Sequence, residues 1–215
     1  MEVYTYFRSS AAYRARIVIN LKGLKADYRY VHLLKDGGEQ HKPEYKAVNP
    51  QCFIPALKDD GHTLTQSLAI IEYVNETHPE PPLLPKDPLG RARVRMLSLI
   101  VACDIHPLNN QRVMQYLEKE FGADAAVKKR WMQRWMTEGF AAMEKLLAGN
   151  PDTGTFCHGD APTIADAFLV PQMFNARRFE TDLTPFPTLR RINDHCLTLK
   201  AFSDAAPDKQ ADFEP

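Results

Sequence analysis

The sequence has few cysteines and no sign that they act together. Its four cysteines are scattered, and none belongs to a C-x-x-C pair: Cys52, Cys103, Cys157 and Cys196. This spacing argues against a zinc knuckle and against a dithiol redox pair. We therefore expect no metal site. We expect most of the cysteines to fill the core of a cytoplasmic protein, in a reducing compartment.

The sequence also lacks an excess of charge and any long apolar run. Lys plus Arg and Asp plus Glu number 27 each, so no overall field attracts nucleic acid or a membrane surface. No run approaches the roughly 20 apolar residues of a membrane span. Arg8, Arg14 and Arg16 interrupt the stretch where a secretion signal would stand. We expect no nucleic-acid or membrane partner, so a charged ligand must be met by a local cluster of side chains.

What is present is an ordinary globular composition with one abrupt change. Of the 215 residues, 44% are hydrophobic and 25% are charged, which is typical of folded domains. The stretch His78 to Gly90 is rich in proline, and such a stretch cannot be a helix interior or a central strand. The sequence therefore predicts a first domain at 1–80, a linker at 81–90 and a second domain at 91–215.

The first domain is predicted to be a small mixed sheet with helices on its faces. Runs typical of strands at 3–6 and 26–33 enclose a helical pattern that ends at Gly23. A β-hairpin follows, with Asp60-Gly61 at its turn. Ser67 stands directly before the next helical pattern, and we expect it to be the N-cap of that helix.

The second domain is predicted to be mostly helical. Long helical patterns cover 91–121 and 126–148, and a shorter one lies near the end, in TPFPTLRRINDHCLTL. Thr163 and Asp166 form a capping box directly before an apolar stripe, which predicts the start of another helix. The tail from Ala205 onward is polar and contains proline, and we expect it to be loose.

A strand-to-helix corner at Arg8-Ser9-Ser10 is the first candidate for chemistry. The N-terminus of the helix that follows would stabilise an anion. A serine hydroxyl that donates to a thiolate lowers the pKa of the thiol. No base can be assigned to either serine, so a donor role is favoured over a nucleophilic one. The alternative is that these hydroxyls only cap the helix.

Two more segments of the first domain could hold a ligand. A cis bond at Ile54-Pro55 would leave the N–H and C=O of Ile54 open to an extended peptide; the alternative is an ordinary trans proline at a strand start. Gln66-Ser67 opens a helix, and a carboxylate could bind there at the helix N-terminus. The alternative for Ser67 is a plain helix cap.

The second domain offers arginines in two segments. CDIHPLNNQR is expected to lie on one helix, which would place His106, Asn110 and Arg112 within two turns. The segment ARRF adds Arg177 and Arg178. Arginine's planar fork suits carboxylates. The alternatives are solvated arginines and a packed core histidine.

Together, and in this order, these segments resemble the zeta class of cytosolic glutathione transferases, which includes maleylacetoacetate isomerase and maleylpyruvate isomerase. The resemblance covers nearly the whole chain. It is carried by the following segments: SSAAYRARIVINLKG, NPQCFIPAL, QSLAIIEYV, CDIHPLNN, TIADAFLVPQ and ARRFETDLTPFPTL.

The resemblance implies an α/β thioredoxin-like N-terminal domain plus an all-α C-terminal domain, and a homodimer with glutathione as cofactor. Implied catalytic residues are Ser9, Ser10 and Arg8. Implied glutathione contacts are Gln40, Ile54, Pro55, Gln66, Ser67, His106 and Asn110, with Pro55 cis. Implied contacts to a diketo dicarboxylate substrate are Arg8, His106, Arg112 and Arg178, of which Arg178 matches an arginine that binds a carboxylate.

The chain departs from the family pattern at two positions. The signature often reads Ser-Ser-Cys, but the third residue here is Ala11, so a cysteine at that position cannot be required for the family activity in this chain. Phe53 stands where some members have a polar residue, and no contact is transferred to it.

The activity that the resemblance implies is a glutathione-dependent cis–trans isomerisation of maleylacetoacetate or maleylpyruvate. One alternative is a transferase that acts on small electrophiles such as α-halo acids. A non-enzymatic member of the fold would be expected to have a damaged glutathione site, and this sequence keeps its residues.

Overall fold

The computed structural model describes residues 1–214. These residues form two compact units, of which one contains residues 1–82 and the chain from Thr198 onward, and the other contains residues 83–197. The C-terminal residues therefore group with the start of the chain and not with the helices that precede them in sequence. Every helix of the described residues is too short or too polar to span a membrane.

The first unit contains the predicted mixed sheet. Its strands are β1 (Glu2–Thr5), β2 (Asp27–Tyr30), β3 (Ala56–Asp59) and β4 (His62–Thr65), in the order β2-β1-β3-β4. β1 is parallel to β2 and antiparallel to β3, and β3 pairs with β4 as a hairpin. Asp60 and Gly61 both have positive φ, 45° and 76°, as a tight hairpin turn requires. The predicted hairpin is confirmed, while β2 is shorter than its predicted run.

Three helices of the first unit lie within residues 1–82. They are α1 (Ser10–Leu21), the single turn α2 (Pro43–Lys46) and α3 (Ser67–Thr77). α1 buries its apolar face, with Tyr13 and Ile17 nearly inaccessible to solvent. The backbone turns away just after α1, where Gly23 has φ 64°, so the predicted stop at this glycine is confirmed.

The second unit is helical. Its helices are α4 (Pro88–Leu99), α5 (Gln111–Phe121), α6 (Ala125–Leu147), α7 (Ile164–Arg178) and α8 (Pro187–Thr198). The capping box of α7 is confirmed, because Thr163 N–H donates to Asp166 Oδ2 at 2.8 Å and the Thr163 side chain accepts from the N3 backbone. Asp166 is fully buried, and this burial raises the pKa of its carboxyl group.

The prediction that CDIHPLNNQR lies on one helix, within the helical pattern at 91–121, is wrong. α4 passes at Leu99 into a π-helical turn, Ile100–Ile105, and then into a 3₁₀ turn, Pro107–Asn109, before α5 begins. Pro107 has no N–H and therefore cannot continue the hydrogen-bond ladder of a helix. π-helical turns are rare and often lie at functional sites.

The prediction of a loose C-terminal tail is also wrong. After α8 the chain forms α9 (Lys200–Ser203) and a 3₁₀ turn, Pro207–Lys209. Arg16 of α1 donates to the Ala205 carbonyl at 3.0 Å, and Gln210 Nε2 donates to the Ala206 carbonyl at 2.9 Å. These hydrogen bonds are accepted by backbone carbonyls, so the polar side chains of the tail could not predict them from the sequence.

Candidate active site

The four strands bring four loops to one end of the sheet. β1 and β2 are parallel with Thr5 opposite Tyr30, so the chain leaves both strands at the same end. β3 is antiparallel to β1, and its first residue, Ala56, lies opposite Tyr4 of β1 and Thr65 of β4. The segments that follow β1, β2 and β4 and the segment that precedes β3 therefore share this end. They contain eight predicted site residues: Arg8, Ser9, Ser10, Gln40, Ile54, Pro55, Gln66 and Ser67.

Ser9 is the N-cap of α1. Its Oγ accepts a hydrogen bond from Ala12 N–H at 3.2 Å. Its hydroxyl hydrogen goes to no acceptor among the described residues. The cap is therefore confirmed, and it leaves the hydroxyl hydrogen available, so the donor role toward a ligand stays a prediction compatible with the cap. Ser10 is the first residue of α1 and is buried.

The sequence predicted that Ser67 is the N-cap of α3, and this prediction is wrong. Gln66 occupies that position with φ 69°, and Ser67 is the first helical residue. The Ser67 Oγ accepts a hydrogen bond from Arg14 Nη1 at 3.2 Å, and its own hydrogen has no acceptor among residues 1–214. The left-handed φ of Gln66 is uncommon for a side chain of this size, and such residues cluster at functional sites.

Arg14 is a functional candidate that the sequence reasoning missed. It is 2% exposed and places a full positive charge beneath the N-terminus of α3. Neither α1 nor α3 has an acidic residue in its first turn, so no carboxylate of that turn neutralises the positive end of either helix dipole. Both helix N-termini are therefore suited to an anionic group.

The Ile54-Pro55 peptide bond is cis, which confirms the prediction. The preceding carbonyl, of Phe53, is occupied by Tyr45 Oη and Asn49 Nδ2, which donate to it at 2.6 and 2.7 Å. By contrast, no hydrogen bond within the described chain uses the N–H or C=O of Ile54. This backbone can pair with an extended peptide.

Gln40 adds an unused acceptor. Its Nε2 donates to the Leu33 carbonyl at 3.2 Å, but its Oε1 is buried and has no partner among the described residues. An amide oxygen that is buried without a donor costs free energy. The side chain is only 8% exposed, so a ligand donor is the natural partner for this oxygen.

In the second unit, three predicted residues lie around the break between α4 and α5. His106 joins the π-helical turn to the 3₁₀ turn. Asn110 is the N-cap of α5, and its Oδ1 accepts from Arg112 N–H at 3.1 Å. The expected helix is absent: His106 and Asn110 flank the 3₁₀ turn and are half-buried, and Arg112 is exposed in the first turn of α5.

The two arginines at the end of α7 differ in their contacts. Arg177 forms an exposed ion pair with Asp194, with 3.0 Å between Nη2 and Oδ1. The Arg178 guanidinium carbon lies 5.0 Å from the centre of the Phe179 ring, within the range of a cation–π contact. Both arginines are exposed, so the solvated interpretation suits Arg177, and the ligand contact of Arg178 stays a prediction.

One turn of α6 donates hydrogen bonds to the turn before α5 and to the end of α7. Trp131 Nε1 donates to the Leu108 carbonyl at 2.8 Å, which fixes the turn that contains His106 and Asn110. Gln133 Nε2 donates to the Phe179 carbonyl at 2.9 Å, directly after Arg178. The sequence reasoning missed both side chains, because each acts on a backbone carbonyl far away in sequence.

Comparison with known proteins places these features in a family. The family model for the N-terminal domain of glutathione S-transferase matches residues 8–77, and the model for the C-terminal domain matches residues 125–196. A maleylpyruvate isomerase from a Ralstonia species is 49% identical over 213 residues, which cover 99% of this chain and 99% of that protein.

Solved structures agree with these matches. A holo structure of a bacterial maleylpyruvate isomerase, a zeta-class glutathione S-transferase, has a TM-score of 0.97 and 48% identity over all of both chains. A maleylacetoacetate isomerase from Methylobacterium extorquens AM1, solved with malonate and glutathione, has a TM-score of 0.95 and 39% identity, again over all of both chains. The predicted fold class, thioredoxin-like plus all-α, is confirmed. The chain belongs to the glutathione S-transferase family and, within it, to the zeta class.

Proposed function

We propose that the chain is a glutathione-dependent cis–trans isomerase of a maleyl diketo acid, either maleylacetoacetate or maleylpyruvate. The observation that carries this proposal is the set of unused hydrogen-bonding groups at one end of the sheet. Ser9, Ser67 and Ile54 keep their donors for a ligand, and Gln40 keeps an acceptor. The relatives named above support the reaction, since they are isomerases of these two acids.

The residues of the first unit fit glutathione. Its γ-glutamyl carboxylate suits the N-terminus of α3, with Gln66, Ser67 and the charge of Arg14 beside it. Its extended backbone suits the open N–H and C=O of Ile54, and one of its N–H groups suits the Oε1 of Gln40. When bound, glutathione supplies a thiolate that adds reversibly to the carbon–carbon double bond, so that the bond rotates while it is single.

Ser9 keeps the thiol ionised in this proposal. Its hydroxyl group donates a hydrogen bond to the glutathione sulfur, and the N-terminus of α1 supplies a partial positive charge at the same place. Both favour the thiolate and so lower the thiol pKa. Ser10 follows Ser9 at the start of the same helix and adds a further N–H to this helix end.

In this proposal the arginines bind the substrate and stabilise the charge that develops on it. Negative charge builds up on the ketone oxygen conjugated with the double bond, and the guanidinium of Arg8 stabilises it in the proposed mechanism. His106 and Asn110 lie on the turn that also begins α5, and we assign them ligand contacts there. Arg112 and Arg178 hold carboxylates through their planar forks.

An absorbance assay tests this function. Purified protein is mixed with enzymatically generated maleylpyruvate or maleylacetoacetate, each with and without glutathione. We expect the signal of the cis acid to disappear only when glutathione is present, and the ratio of the two kcat/KM values identifies the preferred acid. Turnover of neither acid, together with conjugation of an α-halo acid, would replace this proposal with the transferase alternative.

Replacing Arg14 by methionine is expected to weaken glutathione binding by about tenfold or more. The change removes the positive charge beside the site assigned to the glutathione carboxylate, together with the hydrogen bond to Ser67, and an interaction of a carboxylate with such a charge is worth roughly 1.5–3 kcal/mol. Calorimetric titration with glutathione measures the effect. Arg29→Met is the matched control, because Arg29 is exposed on β2 and pairs with Glu2 and Asp27. Equal affinity of the Arg14 variant and the wild type would remove Arg14 from the site.

We also propose that the chain is a cytoplasmic homodimer. α4 exposes Leu89, Met96 and Leu99, which recur at helical spacing along one face and suit contact with a second copy. All four cysteines are free thiols, as suits a reducing compartment. Sedimentation should give a single species at twice the 24.5 kDa of the chain; a species of one chain mass would contradict the dimer.

A further inference from the structure

The end of the chain lies directly against the start of the proposed site. Asp212 Oδ2 accepts a hydrogen bond from Phe7 N–H at 2.9 Å. The rings of Phe213 and Phe7 meet edge to face, with 5.5 Å between their centres. Arg8 Nη2 donates to the Glu214 carbonyl at 3.5 Å. Three consecutive tail residues therefore contact the two residues that come just before Ser9.

Charged side chains hold the Phe7 residue on both sides. Asp212 accepts from its N–H, and Arg16 Nη2 donates to its carbonyl at 3.3 Å. Arg16 is 1% exposed, and burial lowers the pKa of its guanidinium to about 10, so it is still a cation at neutral pH. It also donates to the Ala205 carbonyl at 3.0 Å. Hydrogen bonds with a charged partner are roughly twice as strong as neutral ones.

The position of Phe7 in turn sets the position of Arg8. The guanidinium carbon of Arg8 lies 5.0 Å from the centre of the Phe7 ring, and the ring itself is buried. The Ser9 N–H donates to the Tyr6 carbonyl at 3.0 Å, across the same turn. A shift of the Phe7 backbone would therefore move both Arg8 and the Ser9 hydroxyl.

We propose that Asp212 is a positioning residue for the isomerase: it fixes the Phe7 peptide and thereby aims Arg8 and Ser9. This inference rests on the proposed function. Asp212 is about two hundred positions away in sequence and contacts neither predicted residue directly, so its effect passes through Phe7. Its second oxygen, Oδ1, is buried and has no partner within residues 1–214, so the Phe7 contact is the hydrogen bond that a substitution would remove.

The test compares Asp212→Ala with Asp212→Asn and with Asp208→Ala. We expect the alanine variant to lower kcat by roughly 10- to 100-fold, the cost of a small misplacement of catalytic groups, with KM for glutathione within about twofold of the wild type. Asparagine keeps an oxygen that can accept from Phe7 N–H and should restore most of the activity. Asp208 lies in the same tail and, among residues 1–214, forms an ion pair only with Lys209 at the surface, so its variant should match the wild type.

A double-mutant cycle with Arg8→Ala separates positioning from a structural role. If Asp212 acts through Arg8, its alanine substitution should cost much less when Arg8 is already alanine. An undiminished cost in both the Arg8→Ala background and a Ser9→Ala background, a change in KM for glutathione alone, or no effect of Asp212→Ala would each overturn the proposal.

A separate measurement distinguishes failure of the proposed function from failure of the Asp212 contact. If wild-type protein isomerises neither acid, the function itself is wrong, and the positioning role falls with it. Exchange of the Phe7 amide hydrogen, followed by NMR, then reports whether Asp212 still holds that peptide: faster exchange in Asp212→Ala than in Asp208→Ala supports the contact, and equal exchange contradicts it.

Discussion

Replacing Ser9 by alanine is expected to lower kcat/KM for the diketo acid by roughly 10²–10³-fold. The hydroxyl hydrogen of Ser9 has no acceptor among the described residues, and in this account it donates to the sulfur of glutathione. Without it, the pKa of the bound thiol should rise, because a donor that favours the thiolate has gone. The ultraviolet absorbance of the thiolate, measured against pH with glutathione bound, reports this shift directly.

The same substitution removes a helix cap, and this second effect needs its own control. Loss of the bond from Ala12 N–H should cost about 1 kcal/mol of stability. Asp124 caps α6 in the same way, accepting from Val127 N–H at 2.8 Å. Asp124→Ala should therefore lower the melting temperature similarly but leave kcat unchanged. If Ser9→Ala behaves like Asp124→Ala, with activity intact and the thiol pKa unmoved, Ser9 is only a cap.

Replacing Arg8 by alanine is expected to lower kcat by roughly 10²–10³-fold, with the dissociation constant of glutathione within about twofold of the wild-type value. The reason is that Arg8 opposes charge that appears only as the reaction proceeds. Its contacts in the structure, with Phe7 and with the Glu214 carbonyl, are modest, so little stability should be lost. Stopped-flow turnover and calorimetric titration separate the two constants.

Two further variants test the role of Arg8. Arg8→Lys keeps the charge but loses the planar fork, and it should retain part of the rate. Arg29→Ala removes an exposed arginine of β2 and should change neither constant. A large loss of glutathione affinity with unchanged kcat in Arg8→Ala would assign Arg8 to cofactor binding and not to the reaction.

Local patterns in the sequence predicted the features that depend on neighbouring residues. The Asp60-Gly61 turn follows from a requirement for positive φ at two successive positions. The start of α7 follows from the capping box of Thr163 and Asp166, which lie three residues apart. The ligand contacts assigned to Ile54 and Ser67 were predicted through the resemblance. Each of these residues alone has an ordinary structural explanation, and only their occurrence together in one sequence indicates a glutathione site.

The features that the sequence did not predict depend on contacts between distant residues. Arg14 and Ser67 are 53 positions apart, and an arginine on an apolar helix face does not indicate its partner. The side chains that anchor the tail and the turn after α4 bind backbone carbonyls, as Trp131 does with Leu108. A carbonyl is present at every residue, so no residue type marks the one that is bound.

The most direct test of the isomerase is a reaction with far less glutathione than substrate. Protein, a small amount of glutathione and an excess of maleylpyruvate or maleylacetoacetate are followed by NMR until the spectrum stops changing. The account predicts complete conversion of the cis acid to its trans isomer, with the glutathione signals recovered unchanged. A reaction that stops after one equivalent, with glutathione found as a thioether, would contradict it and would make the protein a conjugating transferase.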